Sequence, residues 1–467
     1  DLNELCPGPE LCASVDAVTF DGCVPGCSNC VLPPPLPPGL LATHLDMAAK
    51  ADGTVLFAGY SAGALPGRKY GDLVFGEWSA ATSSVDWQIL DGLPTGGAIV
   101  GDPAGWRGGV AAGGPDVGRF TSMTMNGDDV YIAYYDATAG ALKLAIRASG
   151  VWSTQVVDDD GDCGAHASIA LSADGAPVIA YQCINPPAAL PGKPTSQALV
   201  AMAASASPST GEDWDIRILH TKDTACRASS CATGNVCLAS GQCAATAGGA
   251  ATVTASFVED LPVATGLYNS IAQGPGGTYG VVFYDRITGD LRGASYDGSS
   301  WQSSFVIDGY SRAVAGVGDS GMSASLFIDT DGKWYVSYVD GTEEVLRLAV
   351  VDGASVIERG VIDDGTTDGT TRYADGQHIV GDDSSIVVTS GGEVRVVYQD
   401  ATSQELRIAT RPSTASGTPW TLEALDTEDS TGYFAEQVLV GSRSYVGTWY
   451  RRGGVGSPNG VRLFLVD

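Results

Sequence analysis

Lysine is scarce in this chain. Its 467 residues carry six lysines and 19 arginines against 54 acidic residues, for a formal net charge of −29. A surface so acidic repels phosphate backbones and anionic lipid, which excludes nucleic acid as a partner. Cations, basic partners and neutral ligands remain. Long apolar runs are also missing, so no transmembrane segment is expected. Histidine is limited to four residues, few of them near cysteine. Mixed Cys/His zinc sites are therefore not expected, and an all-Cys site is the zinc option left open. Clear helical stretches are rare. No GxSxG, phosphate loop or HExxH motif appears.

What is present is a chain of short strands. Gly is abundant at 62 residues, and 44% of residues are hydrophobic. Brief runs rich in Val, Ile, Tyr and Ala alternate with Gly/Asp/Ser/Thr turns, the pattern of many strands. The runs repeat. DVYIAYYD (129–136) leads to ALKLAIRAS (141–149) and VWSTQVVD (151–158). TYGVVFYD (278–285), KWYVSYVD (333–340) and EVRVVYQD (393–400) open similar units, and weaker copies begin at 54, 177 and 444. Tyr60, Tyr135, Tyr181, Tyr284, Tyr338, Tyr398 and Tyr450 serve as anchors of seven units. Each unit is a four-stranded meander that cannot bury both faces alone, and packing copies around an axis solves this. The expected fold is an all-β, seven-bladed β-propeller over residues 41–467. The fourth strand of the third unit falls at 214–220 or 252–260.

Eleven cysteines fall in three groups. Five (Cys6, Cys12, Cys23, Cys27, Cys30) sit in a Cys-rich segment, 1–40, that ends in the stiff connector Pro33-Pro34-Pro35-Leu36-Pro37-Pro38. Cys226, Cys231, Cys237 and Cys243 lie in a Cys-rich insert at 221–250, read as a stapled surface excursion. Cys163 and Cys183 flank the hairpin 168–181, whose ends meet, so a bridge between them is expected. Disulfides imply an oxidising, extracytoplasmic compartment, secreted or at the cell surface. An odd count leaves one thiol free or paired with another chain. The start Asp1-Leu2-Asn3, without Met, is what cleavage to a mature product leaves.

The repeat resembles those of bacterial secreted propellers near the sialidase-like propellers. That resemblance implies the fold and offers one alternative function, a sialidase-like glycoside hydrolase. The sialidase Asp-box, Ser-x-Asp-x-Gly-x-Thr-Trp, is not reproduced. SADGAPV (172–178) and DTDGKWY (329–335) share only its Asp-Gly turn. Such an enzyme also needs clustered arginines beside a Tyr–acid pair. Arg119, Arg286, Arg372, Arg451 and Arg452 are present, but no motif marks them.

Aligned inner strands place His44, Phe120, His166, Tyr268, Ser323 and Asp383 at matching positions, with Glu436 near the seventh. This ring is the candidate ligand site, since a concave channel mouth is the default site. Asp136, Asp285, Asp340 and Asp400 end second strands and are read as turn caps. The acidic loops Asp158-Asp159-Asp160-Gly161-Asp162 and Asp363-Asp364 to Asp368 offer oxygen ligands for calcium, without the spacing of an EF-hand. The preferred function is a non-catalytic module that binds an extracellular protein or carbohydrate through its loop face. Finally, the last unit ends on a third strand at 460–467. A segment within 12–46, Ala17–Phe20 or Leu40–His44, is expected to pair with it and close the ring.

Overall fold

The computed structural model describes residues 40–467 except 66–67, 80–83, 97–98, 100–102, 104, 111, 185–194, 224–234, 238–242, 246–264, 310–317, 367–375, 415 and 454–458. Seven antiparallel sheets follow one another along the chain as blades. Their inner strands are β1 (Leu40–Ala49), β5 (Val117–Asn126), β9 (Asp162–Leu171), β15 (Thr265–Gln273), β19 (Ser320–Ile328), β23 (Val380–Val388) and β27 (Ser430–Val440). The second strands are β2 (Val55–Leu65), β6 (Asp129–Asp136), β10 (Pro177–Ile184), β16 (Tyr279–Asp285), β20 (Trp334–Asp340), β24 (Glu393–Asp400) and β28 (Arg443–Arg451). Third strands lie outside these. The outermost strands are β4 (Ser84–Asp91), β8 (Val151–Asp158), β12 (Trp214–Asp223), β18 (Phe305–Gly309), β22 (Ser355–Asp363) and β26 (Thr421–Asp426). The fourth strand of the third blade is thus the earlier of the two sequence candidates. The last blade has three described strands, ending in β29 (Asn459–Val466). The fold is an all-β seven-bladed propeller. No described helix is long and apolar enough to cross a membrane.

The strand sequences match these positions. Second strands are covered by neighbouring blades on both faces and read as continuous apolar runs; every residue of YGVVFYD in β16 is buried. Outermost strands meet solvent, and in VWSTQVVD of β8 only the last two residues are buried. Apolar side chains gather in seven clusters, one at each blade interface. One of them joins Ala42, Leu45 and Phe57 of the first blade to Phe434, Tyr445 and Leu463 of the last, so the ring is closed by packing.

A buried tyrosine latches each of four blades to the one before it. Tyr134, Tyr181, Tyr338 and Tyr398 donate to Asp91, Asp158, Asp308 and Asp363 at 2.7, 2.6, 2.5 and 2.6 Å. Each acceptor lies at or near the end of the preceding blade's outermost strand. A hydroxyl bonded to a buried carboxylate keeps both polar groups satisfied inside an apolar interface. Strand register corrects the sequence anchors. Tyr181, Tyr338 and Tyr398 are equivalent to Tyr134, whereas Tyr60, Tyr135 and Tyr284 stand one residue later and Tyr450 two later. Adjacent tyrosines in β6 allow the slip, and the count of seven is unaffected.

The second-strand aspartates cap turns as expected. Asp136, Asp285, Asp340 and Asp400 each accept two backbone N–H groups from the next three residues. Cys163 and Cys183 sit opposite each other on β9 and β10 and form the expected disulfide. Within the insert, β13 (Asn235–Cys237) and β14 (Cys243–Ala245) pair with Cys237 opposite Cys243. Cys226, Cys231 and the five N-terminal cysteines lie outside the described residues.

The closure expectation needs a correction. Leu40–His44 does not supply a fourth strand to the last blade; it opens β1 and pairs with β2. Leu41 still ties the blades together, because its N–H donates to Asn459 Oδ1 and its carbonyl accepts from Trp449 Nε1 at 3.0 and 2.9 Å. Ala17–Phe20 lies outside the described residues. The latch predicts a graded loss. Tyr181→Phe removes the bond to buried Asp158 and is expected to lower unfolding free energy by about 1–3 kcal/mol. Tyr135→Phe, whose acceptor Asp162 is exposed, is expected to cost less than about 1 kcal/mol by chemical denaturation.

Candidate functional site

One backbone device recurs in all seven inner strands and builds the site. His44, Phe120, His166, Tyr268, Ser323, Asp383 and Phe434 have φ between 49° and 52°, in the left-handed region. At each, the inner strand advances three residues while its partner advances two, which is a β-bulge. Two residues earlier, six blades carry a positive-φ glycine: Gly118, Gly164, Gly266, Gly321, Gly381 and Gly432. A Cβ at Gly164 would stand 2.7 Å from the Leu142 backbone of the preceding blade, so close approach and φ both demand glycine there.

Two residues after each bulge comes a second ring: Asp46, Ser122, Ser168, Ser270, Ser325, Ser385 and Glu436. Its side chains stitch blade to blade. Ser122, Ser168, Ser270, Ser325 and Ser385 each accept the N–H of Ile169, Ile271, Leu326, Ile386 and Gln437 in the next blade, at 3.0–3.3 Å. Asp46 accepts likewise from Met123 at 2.6 Å. The repeating signature Gly-x-collar-x-Ser is legible in GRFTS, GAHAS, GLYNS, GMSAS and GDDSS. Sequence reasoning misses it because serine is an unremarkable residue on its own.

The bulges turn their side chains into the channel mouth. There the seven collar residues enclose about 160 Å³ together with Thr121, Asn269 and Glu436. Five rings form an arc: Phe434, His44, Phe120, His166 and Tyr268, with successive centroids 5.1, 5.0, 4.4 and 5.0 Å apart. Ser323 and Asp383 complete the circle. The structure therefore brings together His44, Phe120, His166, Tyr268 and Asp383. The seventh member is Phe434; Glu436 belongs to the hydroxyl ring below.

Burial sets the charges. It lowers His166 to about 3 and His44 to about 4, with Arg119 adding to the effect at His44, so both rings are neutral near pH 7. It raises Asp383 to about 6, assisted by neighbouring Asp382. Asp46 is likewise raised to about 6, and Glu436 is pushed well up by burial and by the Asp46 charge. Asp383 accepts the Phe434 N–H at 2.8 Å, which fixes its carboxylate. Asn269 donates to His166 O and Gly266 O, while its buried Oδ1 has no hydrogen-bond partner among the described residues.

The remaining sequence candidates lie elsewhere. Asp158 and Asp363 hold the latching tyrosines and cap their own turns. Asp159, Asp160, Asp162 and Asp364 are exposed. The second acidic loop is described only through Thr366, which leaves Asp368 outside the described residues. Among the described residues, no group of three of these carboxylates has oxygens converging as metal ligands. No arginine lines the mouth among the described residues. Arg119 pairs with Asp116 outside it at 2.6 Å, Arg286 and Arg451 are exposed, Arg452 pairs with Asp429, and Arg372 is outside the described residues.

No family model and no curated protein matches this chain. Solved structures do. A protein of unknown function from Dyadobacter fermentans aligns over 74% of this chain and 93% of its own, at 12% identity and a TM-score of 0.45. A polysaccharide lyase aligns over 97% and 95%, at 10% identity and 0.44. An α-L-arabinofuranosidase from Fusarium graminearum aligns over 74% and 92%, at 11% identity and 0.44. Resemblance at this level concerns the fold.

The neutral histidines predict a pH effect. Below pH 6.5 the unfolded chain protonates the His166 ring, while the folded chain does so only near pH 3. His166 thus costs stability as pH falls through 6.5. Chemical denaturation at pH 7 and pH 5 is expected to show His166→Phe gaining about 1–2 kcal/mol on the parent at the lower pH. An unchanged gap between the two proteins would mean that the ring titrates normally.

Proposed function

We propose that the propeller is a recognition module whose channel mouth holds one positively charged nitrogen of an extracellular partner, without turning the partner over. The carrying observation is the combination of an uncharged aromatic arc with the Asp383 carboxylate and no lining arginine among the described residues. A cation gains from aromatic faces and from a carboxylate together. The net charge of −29 draws cations toward the surface. An enclosed volume of about 160 Å³ suits a single ammonium-bearing side chain, such as a partner's lysine. It is small beside the roughly 300–1,000 Å³ of pockets for larger ligands, which weighs against a sugar-chain cleft there. The bridge between Cys163 and Cys183 supports an extracytoplasmic setting.

Isothermal titration with tetramethylammonium and Nα-acetyl-lysine methylamide tests this reading. Binding in the millimolar range is expected, weakened at least about tenfold by Asp383→Asn or Phe120→Ala. It should also weaken as pH falls through 6, where Asp383 protonates. Equal binding of neutral methyl glycosides, or glycoside hydrolysis that depends on the collar, would overturn the reading.

A further inference from the structure

The outer edge between the third and fourth blades carries a second constellation, separate from the channel. His220 lies on β12, the outermost strand of the third blade. Its Nε2 stands 3.2 Å from Asp285 Oδ2, and its Nδ1 stands 3.1 Å from Ser304 Oγ, just before β18 of the fourth blade. Asp285 is buried, and its other oxygen accepts the N–H groups of Ile287 and Thr288 at 3.1 and 3.4 Å. Its position is therefore fixed by the turn it caps. A carboxylate can only accept, so His220 presents Nε2–H to Asp285 and a lone pair at Nδ1 to the serine hydroxyl. Arg292 donates to the same hydroxyl oxygen at 3.3 Å, which directs the Ser304 O–H toward the histidine.

From this geometry we propose that Ser304, His220 and Asp285 form a nucleophile, base and orienting acid for hydrolysis of uncharged carboxylic esters. Nucleophile and base are within hydrogen-bond reach, and a third group orients the base. The three side chains come from two blades, and the order of ring nitrogens is the reverse of the serine-protease arrangement. His220 and Ser304 line a cavity of about 530 Å³ with Ile218, Leu219, Trp301 and Arg292, room for an apolar acyl or aryl group. Ile218 is 56% exposed, so the cavity is reached from solvent.

In the first step Ser304 Oγ bonds to the ester carbonyl carbon and its proton passes to His220 Nδ1. The Arg292 guanidinium, which donates to the attacking oxygen in the free protein, lies beside the reacting carbon, and its positive charge opposes the negative charge that develops on the carbonyl oxygen. The carbon–oxygen bond to the alcohol then breaks, and the departing oxygen takes the proton from Nδ1. Water, deprotonated by the same nitrogen, then attacks the acyl carbon; the bond from that carbon to Ser304 Oγ breaks, Oγ takes the proton back from Nδ1, and the carboxylic acid is released. The other capping aspartates also face a basic side chain: Arg347 beside Asp340 at 3.0 Å, Lys143 beside Asp136 at 3.7 Å and His378 beside Asp400 at 2.8 Å. A purely structural role for His220 is the competing account, and it predicts no chemistry at Ser304.

The full chain is assayed for p-nitrophenyl acetate hydrolysis and labelled with a fluorophosphonate probe, with the modified peptide located by mass spectrometry. Turnover above buffer and a label on Ser304 are expected. Ser304→Ala should abolish the label and lower turnover at least about 100-fold, and His220→Asn should do the same. Ser355→Ala, on the outermost strand of the fifth blade, should leave both unchanged, and circular dichroism checks that each variant is folded. No turnover in the parent protein, a label on another residue, or turnover that survives Ser304→Ala in a folded variant would overturn the proposal. Collar variants such as Phe120→Ala should keep the esterase signal, which separates this result from the test of the channel mouth.

Discussion

The bulge in each inner strand is the constraint on which the rest of the molecule depends. A left-handed residue, usually two positions after a glycine, adds one residue to the inner strand in every blade. That single insertion turns one side chain into the channel and aims another, two residues on, at the neighbouring blade. The serine, or Asp46 in the first blade, then accepts a backbone N–H that the ladder leaves free. Blade spacing, collar geometry and inner-edge satisfaction thus follow from one local conformation. The tyrosine latches add a second tie at the outer strands, so four of the blade interfaces are held at both radii.

Seams in this repetition are informative. Between the last blade and the first, serine is replaced by Glu436 on one side and Asp46 on the other, and Met47 N–H turns to the Asp46 carboxylate. Burial raises both acids, and the neighbouring Asp46 charge raises Glu436 further. Asp383 lies one blade away. The buried acids Asp383, Glu436 and Asp46 thus lie on three successive blades, and the aromatic arc starts on the second of these with Phe434. The collar histidines stay neutral and behave as aromatic lining. Of the other two histidines, His378 lies 2.8 Å from the capping Asp400 and His220 bridges Asp285 to Ser304.

Much of this was legible in the sequence, and the failures have physical causes. Strand count and blade number could be read from repeated runs such as DVYIAYYD and ALKLAIRAS, because burial on both faces forces continuous apolar runs with polar ends. Six collar positions could be read because a fixed distance separates them from the following hairpin. The seventh could not be aligned in the divergent last blade, where Glu436 was only nearby, although Gly432 marks Phe434. The latch acceptors Asp91, Asp158, Asp308 and Asp363 share the short ending Ile/Val-x-Asp, yet Asp158 and Asp363 sit in acidic runs that suggested calcium instead. The His220–Ser304 contact spans 84 residues and two blades, so no local pattern carries it.

The most direct measurement is a crystal structure of the protein soaked with tetramethylammonium. If the collar is a cation site, the ligand will lie between the Asp383 carboxylate and the rings of His44, Phe120, His166 and Tyr268. Water alone in the channel mouth, with the cation confined to exposed acidic turns such as Asp159-Asp160, would contradict it.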